Sequence, residues 1–196
     1  MKSEKIILIG NGGHLISCKH ICDSLSIPST QIKSEDLDIF LENTTCINKN
    51  LKFFVCLGDL KRRNELIDYL KNRELSICSL IHPTAVISKS SNINEGSFIG
   101  ANTFLGANTY IGTGSIVNTG AIIEHGSIVG EYTNIGPNAV LCGNVVVGSK
   151  CFIGASSTII ENLKIVDNVL VAAGAVVIKN IELEYSKQKG VPSKSW

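Results

Sequence analysis

The sequence has no excess of charge of either sign and no long hydrophobic run. Its 18 basic residues stand against 17 acidic ones, a formal net charge of +1, and neither sign gathers into a block. This balance excludes the basic surface of a nucleic-acid-binding protein, so we expect no nucleic-acid or polyanion partner. The apolar run after Met1 to Lys5 reaches glycine within four residues, too short for a signal peptide or a membrane span. We therefore expect a cytoplasmic protein without membrane insertion.

Paired cysteines and clustered histidines are also missing. The chain has four histidines, and only His82 and His125 fall within its repetitive part, so we expect no metal site. The cysteines are odd in number and form no C-x-x-C pair, which predicts reduced, mostly buried thiols. These seven residues are Cys18, Cys22, Cys46, Cys56, Cys78, Cys142 and Cys151.

What the chain has in abundance is an aliphatic residue at every sixth position from Ile81 to Val177, seventeen positions without exception. The next residue is glycine in seven copies, and the residue four positions on is small in the first thirteen, from Ala85 to Ser157. Neither an α-helix, with period 3.6, nor a plain strand, with period 2, can hold a period of six. The pattern predicts a parallel β-solenoid, whose flat faces are short strands and whose corners need residues that tolerate unusual backbone angles.

Before the repeat, the sequence predicts a small α/β unit. The strand Lys5 to Gly10 leads through a glycine turn to a helix that places Leu15, Cys18, Ile21, Cys22 and Leu25 on one face. A second strand, Leu51 to Leu57, precedes a helix for which Asp59 is the predicted N-cap and from which Leu60, Leu66, Ile67 and Leu70 point inward. Ligands of parallel sheets bind at the carboxyl ends of the strands, here the loops Gly10–His14 and Gly58–Asp59.

The glycine turn leaves three interpretations open. A dinucleotide site is disfavoured because Leu15 stands where G-x-G-x-x-G needs its third glycine, and no acidic residue clearly ends a second strand. A purely structural turn is one remaining interpretation. The other is a phosphate site for a nucleotide-activated substrate, because a helix N-terminus presents unpaired backbone N–H groups to an anion. That site would consist of Gly12, Gly13, His14 and Gly58.

The pattern of aliphatic residue, glycine, two variable residues, small residue and apolar residue resembles the hexapeptide repeat of the left-handed β-helix acyltransferases. Three further stretches resemble the PglD/NeuD-like sugar acetyltransferases within that group: residues 7–14 (Ile-Leu-Ile-Gly-Asn-Gly-Gly-His), 80–83 (Leu-Ile-His-Pro) and 118–125 (Asn-Thr-Gly-Ala-Ile-Ile-Glu-His). The resemblance implies a Rossmann-like nucleotide-sugar-binding domain over residues 1–80, a left-handed parallel β-helix binding acetyl-CoA over 81–180, and a capping tail over 181–196. It also implies a homotrimer with active sites shared between subunits.

His125 is the candidate catalytic residue. It lies in the hexapeptide Ile123 to Ile128, where a charged residue replaces the preferred glycine, and such a departure from a strong repeat indicates function. Acetyl transfer to an amine needs a base, and histidine suits that role near neutral pH. By resemblance, His125 deprotonates the attacking amine directly, without an acyl-enzyme. The chain departs from its relatives at Gly126, where they carry an acidic residue, and at Asn134, where many have a second histidine.

Gly143 is a candidate oxyanion donor, because glycine lets a thioester approach its backbone N–H closely. The neighbouring Cys142 is expected to be structural, because a nucleophilic cysteine needs a base within hydrogen-bond reach. By resemblance, coenzyme A lies in the groove between subunits. The residues matching that groove are Asn134, Gly143, Ala155, Ala173 and Gly174, although the last two equally suit the packing of a tapering solenoid end.

The sequence therefore predicts an acetyl-CoA-dependent N-acetyltransferase that acts on a UDP-linked 4-amino-dideoxy sugar in bacterial glycan biosynthesis. O-acetylation of a sialic-acid-like sugar by the same scaffold is the first alternative. A non-catalytic binding or scaffold protein is another, made conceivable by Gly126 and Asn134. A zinc hydratase of the carbonic anhydrase type is disfavoured, because two solenoid histidines do not supply three ligands.

Overall fold

The computed structural model describes residues 5–43 and 51–195, so Cys46 lies outside the described residues. The chain divides into two compact units, Met1–Pro83 and Thr84–Trp196, and the tail predicted over residues 181–196 is part of the second. None of the helices in the described ranges has both the length and the apolar character that a membrane span requires.

The first unit contains a three-stranded parallel sheet in the order β2-β1-β3. Ile7 of the central strand aligns with Thr30 on one side and with Phe53 on the other. The apolar residues 6–9 of β1 are all buried, as expected for a strand of a parallel sheet covered on both faces. The elements are β1 (Lys5–Ile9), α1 (Gly13–Ser24), β2 (Ser29–Ile32), a 3-10 turn (Ser34–Asp36), α2 (Leu37–Asn43), β3 (Leu51–Val55), α3 (Leu60–Asn72) and β4 (Leu80–Ile81).

Two expectations for this unit are corrected. Strand β2 did not emerge from the sequence, because its residues are mostly polar and only half-buried, and the acidic pair Glu35 and Asp36 follows it. A dinucleotide site is therefore disfavoured by Leu15 alone. Leu25, predicted to face inward, is 42% exposed because α1 ends at Ser24. The predicted N-cap is confirmed: the Asp59 carboxylate accepts a hydrogen bond of 2.8 Å from the backbone N–H of Arg62.

The second unit is a parallel β-helix in which each short strand pairs with the strand three positions later, as β10 with β13 and β11 with β14. Three hexapeptides therefore form one coil. The strands are β5 (Val86–Ile87), β6 (Asn92–Ile93), β7 (Phe98–Ile99), β8 (Phe104–Leu105), β9 (Tyr110–Ile111), β10 (Ile116–Val117), β11 (Ile122–Ile123), β12 (Ile128–Val129), β13 (Asn134–Ile135), β14 (Val140–Leu141), β15 (Val146–Val147), β16 (Phe152–Ile153), β17 (Thr158–Ile159), β18 (Lys164–Ile165), β19 (Leu170–Val171), β20 (Val176–Val177), β21 (Lys187–Lys189) and β22 (Lys194–Ser195).

The repeated aliphatic residues fill the interior of the helix. From Ile99 to Val177 each is at most 1% exposed. The small-residue positions lie beside them, and their hydroxyls link successive coils: the Ser115 hydroxyl donates to the Gly130 carbonyl at 2.8 Å and accepts from the Thr133 N–H at 3.1 Å. These buried polar groups are thus hydrogen-bonded, as a stable interior requires.

The repeating glycines have a different role from the one predicted. They follow the aliphatic residue because the next coil passes too close for a side chain: a Cβ on Gly106 would lie 2.7 Å from the backbone N of His125. Left-handed backbone angles occur instead two residues further on, at every sixth position from Gly96 to Gly174. Most of these positions carry Asn or Gly, the residues that adopt this conformation most readily.

The C-terminal segment pairs with the last coils. Strand β21 lies parallel to β19, with Leu170 aligned to Lys187, and β22 returns antiparallel to β21. Ile181 forms a further bridge to Ile165. This hairpin covers one edge of the β-helix.

Candidate active site

His125 lies in the turn between β11 and β12, at a corner of the coil, and is exposed. Residues that differ by 18 in number stack there on successive coils, which places Ala107, His125, Gly143 and Glu161 in one column. The Asn144 N–H donates to the His125 carbonyl at 2.9 Å, and the Asn162 N–H donates to the Gly143 carbonyl at 3.0 Å. These bonds fix the register of the column.

The imidazole of His125 lies directly over Gly143. A Cβ built on Gly143 would lie 2.7 Å from Cε1 and 2.8 Å from Nε2 of the ring, closer than real Cβ atoms approach other atoms. The ring makes no hydrogen bond to any residue in ranges 5–43 and 51–195. Both ring nitrogens are therefore accessible to a substrate, as a general base requires.

The backbone of Gly143 fits its predicted role as a donor. Its carbonyl is bonded to Asn162, but its N–H donates to no acceptor among the described residues. The two groups that acyl transfer to an amine needs, a base and an N–H for the developing oxyanion, thus lie side by side. The assignment of Gly143 as that donor stays a prediction.

Cys142 is adjacent to this pair, but its thiol is not activated. Burial raises the pKa of the Cys142 thiol, and the carboxylates of Glu161 and Glu124 raise it further. The thiolate is the nucleophilic form of cysteine, so these neighbours oppose covalent catalysis. The same two carboxylates, Glu161 and Glu124, give the corner around His125 an acidic character.

Gly143 apart, the predicted coenzyme A residues form a separate group. Ala155 and Ala173 follow β16 and β19, one coil apart, and the Gly174 N–H donates to the Ala155 carbonyl at 2.9 Å. Asn134 begins β13, on the same face as β16, and is 9% exposed. Within one chain these residues therefore lie at a different corner and face from His125 and Gly143. Their binding role stays a prediction.

The glycine loop of the first unit has the features of an anion site. Gly12 is the N-cap of α1 without a side-chain cap, and no acidic residue occurs in the first turn of the helix. Gly12 and Gly13 are exposed, and a Cβ added to either would meet no atom of residues 5–43 and 51–195 within 4 Å. The helix N-terminus can therefore receive a phosphate.

His14 points into the first unit. It is half-buried, and its side chain interacts with Cys18. Burial raises the pKa of the Cys18 thiol, but hydrogen bonds with Cys56 and His14 and the charge of His14 lower it to about 6. The sequence placed His14 only in the ligand loop, and nothing in its spacing indicated the thiol partner.

Arg63 supports the second predicted loop and was missed from the sequence. It is 1% exposed and donates hydrogen bonds of 2.9 Å to the Leu57 carbonyl and 3.1 Å to the Gly58 carbonyl. The sequence did contain an indication of this role, because Arg63 stands four residues before Ile67 and seven before Leu70, the spacing that places a residue on the inward face of α3.

Two cavities and a histidine pair also occur among the described residues. A cavity of about 500 Å³ lies among C-terminal residues that include Lys179, Pro192 and Lys194. A groove of about 360 Å³ in the first unit is lined by Ser34, Glu35, Arg62, Glu65, Leu66 and Tyr69.

His82 belongs to the first unit and stacks on His20, with the two Nε2 atoms 3.4 Å apart. No group of three or more metal-ligating side chains occurs among the described residues.

Family models of transferase repeats match the second unit. Residues 126–161 match the model described as bacterial transferase hexapeptide (six repeats), and residues 98–131 and 144–179 match the hexapeptide repeat of succinyl-transferase. The β-helix is therefore built of transferase-type hexapeptide repeats, and the resemblance drawn from the sequence is confirmed. No curated protein sequence matches the chain significantly.

Solved structures match nearly the whole chain. PerB from Caulobacter crescentus, in complex with CoA and GDP-perosamine, is 26% identical, with 98% of this chain and 97% of that chain covered and a TM-score of 0.90. A histidine-to-alanine mutant of GDP-perosamine N-acetyl transferase from the same organism, with the same two molecules, is 25% identical over 98% and 96%, with a TM-score of 0.90.

The acetyltransferase domain of PglB from Neisseria gonorrhoeae, in complex with acetyl coenzyme A, has a TM-score of 0.91 over 99% of this chain and 100% of that chain. At 23% identity its likeness shows the fold alone. The predicted fold class, a small α/β unit followed by a left-handed β-helix, is confirmed.

Proposed function

We propose that this protein is a sugar N-acetyltransferase that transfers the acetyl group of acetyl-CoA to the amino group of a nucleotide-linked 4-amino-dideoxy sugar, in the cytoplasm. The observation that carries the proposal is the imidazole of His125 over Gly143, where neither the ring nitrogens nor the neighbouring N–H are hydrogen-bonded to any described residue. The relatives that are 25–26% identical were crystallised with CoA and a GDP-linked sugar, which supports this substrate class.

The reaction is a direct transfer. The amine nitrogen attacks the thioester carbonyl carbon while His125 takes the proton from that nitrogen. Negative charge develops on the carbonyl oxygen, and the Gly143 N–H donates to it. The C–S bond then breaks, and coenzyme A leaves as the thiol once it regains a proton. The glycine loop at Gly12 and Gly13 holds the phosphates of the nucleotide, and the Gly58 loop supports the same ligand.

A homotrimer is part of the proposal. Val86, Phe104 and Ile122 form an outward-facing apolar column on successive coils, with 61%, 37% and 36% exposure. Tyr110 and Ile128 form a second exposed column on the adjoining face. Exposed apolar patches of this kind favour association. Packing of another copy here would bring a second chain beside the His125 corner, which supports a shared site.

The nucleotide and the acceptor atom can be tested together. Purified protein is given acetyl-CoA with a UDP-linked 4-amino sugar, with GDP-perosamine, or with a sialic acid, and both thiol release and acetylated product are measured. We expect an N-acetylated sugar nucleotide. The UDP-linked sugar is the expectation from the sequence, and the GDP-linked sugar is the one bound in the relatives. Product formed only on a sialic acid hydroxyl would replace N-transfer by O-transfer.

The catalytic assignment has its own test. His125→Ala should lower kcat by about 10²- to 10⁴-fold, the usual contribution of a general base. His20→Ala is the matched control, because His20 is an exposed histidine of α1, and its kcat should stay within about twofold of the wild type. Unchanged turnover in His125→Ala would make another base, or a non-catalytic scaffold, the better account.

A further inference from the structure

The position after His125 does not supply a carboxylate to the imidazole. Gly126 has a φ of +70°, and the residues stacked on it, Asn144 and Asn162, have φ of 58° and 62°. This column adopts the left-handed conformation, which favours Gly and Asn. An imidazole that acts as a base works best when a second group fixes its tautomer and stabilises its cationic form. If His125 is the base, such a group must come from elsewhere.

The column of His125 itself contains an acidic residue. Gly143 lies on the next coil and Glu161 on the coil after it, with the register fixed by the backbone bonds at Asn144 and Asn162. Gly143 has no side chain, and the ring of His125 occupies the space that a side chain would fill. Its Nε2 therefore lies over the coil of Gly143, which is between the coils of His125 and Glu161. Neighbouring strands are about 4.8 Å apart, so about one strand spacing separates the ring from the backbone of Glu161. A glutamate side chain spans that gap.

Titratable side chains lie near the ring on its own coil and on the next two coils, while the preceding coil carries Ala107 in the same column. Glu124 precedes His125 on its own coil, and Cys142 and Glu161 lie on the next two. Glu161 and Glu124 both act on the Cys142 thiol, Glu161 more strongly. Glu124 is half-buried in the neighbouring column, whereas Glu161 is exposed and shares the column of the ring. Of the two carboxylates, Glu161 is therefore the one whose side chain can extend along its own column to reach the imidazole.

We propose that Glu161 is the positioning residue of His125, accepting a hydrogen bond from one ring nitrogen while the other faces the substrate amine. The inference rests on the proposed function. When the base takes the amine proton, the imidazolium forms beside an ionised carboxylate that stabilises it and does not itself take the proton. The contact is made by rotation of the exposed Glu161 side chain when the substrates bind, since catalytic hydrogen bonds often tighten only in the complex.

The central experiment compares Glu161→Gln with Glu124→Gln. Glutamine keeps the size of the side chain and removes its charge. Glu161→Gln should lower kcat about 10- to 100-fold, with KM for both substrates within about twofold. The acid limb of the pH–kcat profile should move to lower pH, because the protonated ring loses its stabilising anion. Glu124→Gln should keep kcat within about threefold of the wild type and should not shift the acid limb of the pH–kcat profile. A larger loss in Glu124→Gln than in Glu161→Gln would overturn the inference.

A rescue variant separates positioning from packing. In Glu161→Gln/Gly126→Asp the carboxylate returns at the position directly after the histidine. Aspartate tolerates the left-handed conformation better than most residues, but its Cβ would collide with Oδ1 of Asn144, so the exposed Asn144 side chain must rotate away. We expect kcat to recover at least about fivefold relative to Glu161→Gln. Thermal unfolding of each variant identifies a loss of activity that comes from misfolding.

A spectroscopic measurement distinguishes failure of the inference from failure of the proposed function. The ¹⁵N spectrum of the His125 ring at alkaline pH should show one dominant tautomer in the wild type with coenzyme A present, and a mixture in Glu161→Gln. Identical spectra, with kcat unchanged in Glu161→Gln and lost in His125→Ala, would overturn the role of Glu161 and keep His125 as base. Absence of acetyl transfer to every sugar tested, together with a spectral difference, would overturn the proposed function and keep the Glu161–His125 pairing.

Discussion

The guanidinium of Arg63 donates to the carbonyl of Gly58, so a buried cation of α3 holds the loop that follows β3. Arg63→Met keeps much of the apolar length of the side chain but leaves the Leu57 and Gly58 carbonyls without this donor. We expect the unfolding free energy to fall by about 1–3 kcal/mol and the affinity for the nucleotide sugar to fall with it. Urea unfolding and ligand titration measure the two effects.

The control for this substitution is Arg62→Met. Arg62 is exposed; its backbone N–H serves the helix cap, and its guanidinium donates one exposed hydrogen bond of 3.3 Å to the Ser34 hydroxyl. Because exposed bonds of this kind contribute little, stability should change by no more than about 0.5 kcal/mol. Equal destabilisation by the two substitutions would show that the buried bonds of Arg63 contribute nothing specific.

Gly143→Ala tests whether the ring of His125 needs the empty space beneath it. The added methyl would lie 2.7 Å from Cε1, so the exposed ring must swing away. Displacement of a catalytic group by about 1 Å can reduce the rate about 100-fold, and we expect a loss of that size in kcat with little change in thermal stability. In a His125→Ala background the same substitution should have no further effect on kcat. A crystal structure with an unmoved ring and full activity would contradict the argument.

Cys142→Ala should retain kcat within about threefold. Burial and the carboxylates of Glu161 and Glu124 raise the pKa of the Cys142 thiol, so at pH 7 its thiolate population is smaller than that of an ordinary cysteine. Alkylation of Cys142 by iodoacetamide, followed by mass spectrometry, should therefore be slow at pH 7 and accelerate only at alkaline pH. Rapid modification of Cys142 at pH 7 with parallel loss of turnover would restore it as a candidate nucleophile.

Phe104→Glu tests the proposed trimer. Phe104 is the middle member of the apolar column on β5, β8 and β11, and a carboxylate there would have to be desolvated in an interface. Light scattering should show a roughly threefold lower mass than the wild type, with kcat reduced at least tenfold because the proposed site is shared. Lys187→Glu is the control, because Lys187 is exposed on β21, in the sheet that contains neither apolar column. A wild-type protein that is already a monomer would remove the shared site.

The period of six was enough to predict the β-helix, because each hexapeptide makes the same turn and the interior admits only aliphatic residues such as Ile99 and Leu141. His125 could be singled out for the same reason, because its neighbour Glu124 interrupts the strict pattern at the position of the preferred glycine. Strand β2 was not, because its half-exposed polar residues lack the alternation that marks a strand. Glu161 could not be predicted from the sequence, because its proposed contact with His125 joins residues 36 positions apart, and that spacing has meaning only once the coil length of 18 is known.

The hairpin of β21 and β22 has a consequence beyond the single chain. A β-helix grows by adding strands to a matching edge, and every coil of this one has nearly the same backbone. A chain shortened before Lys187 would leave the β19 edge bare, ready to receive the first coil of another copy and extend into filaments. The polar, lysine-rich hairpin of β21 and β22 is therefore expected to prevent end-to-end pairing of β-helices from different copies.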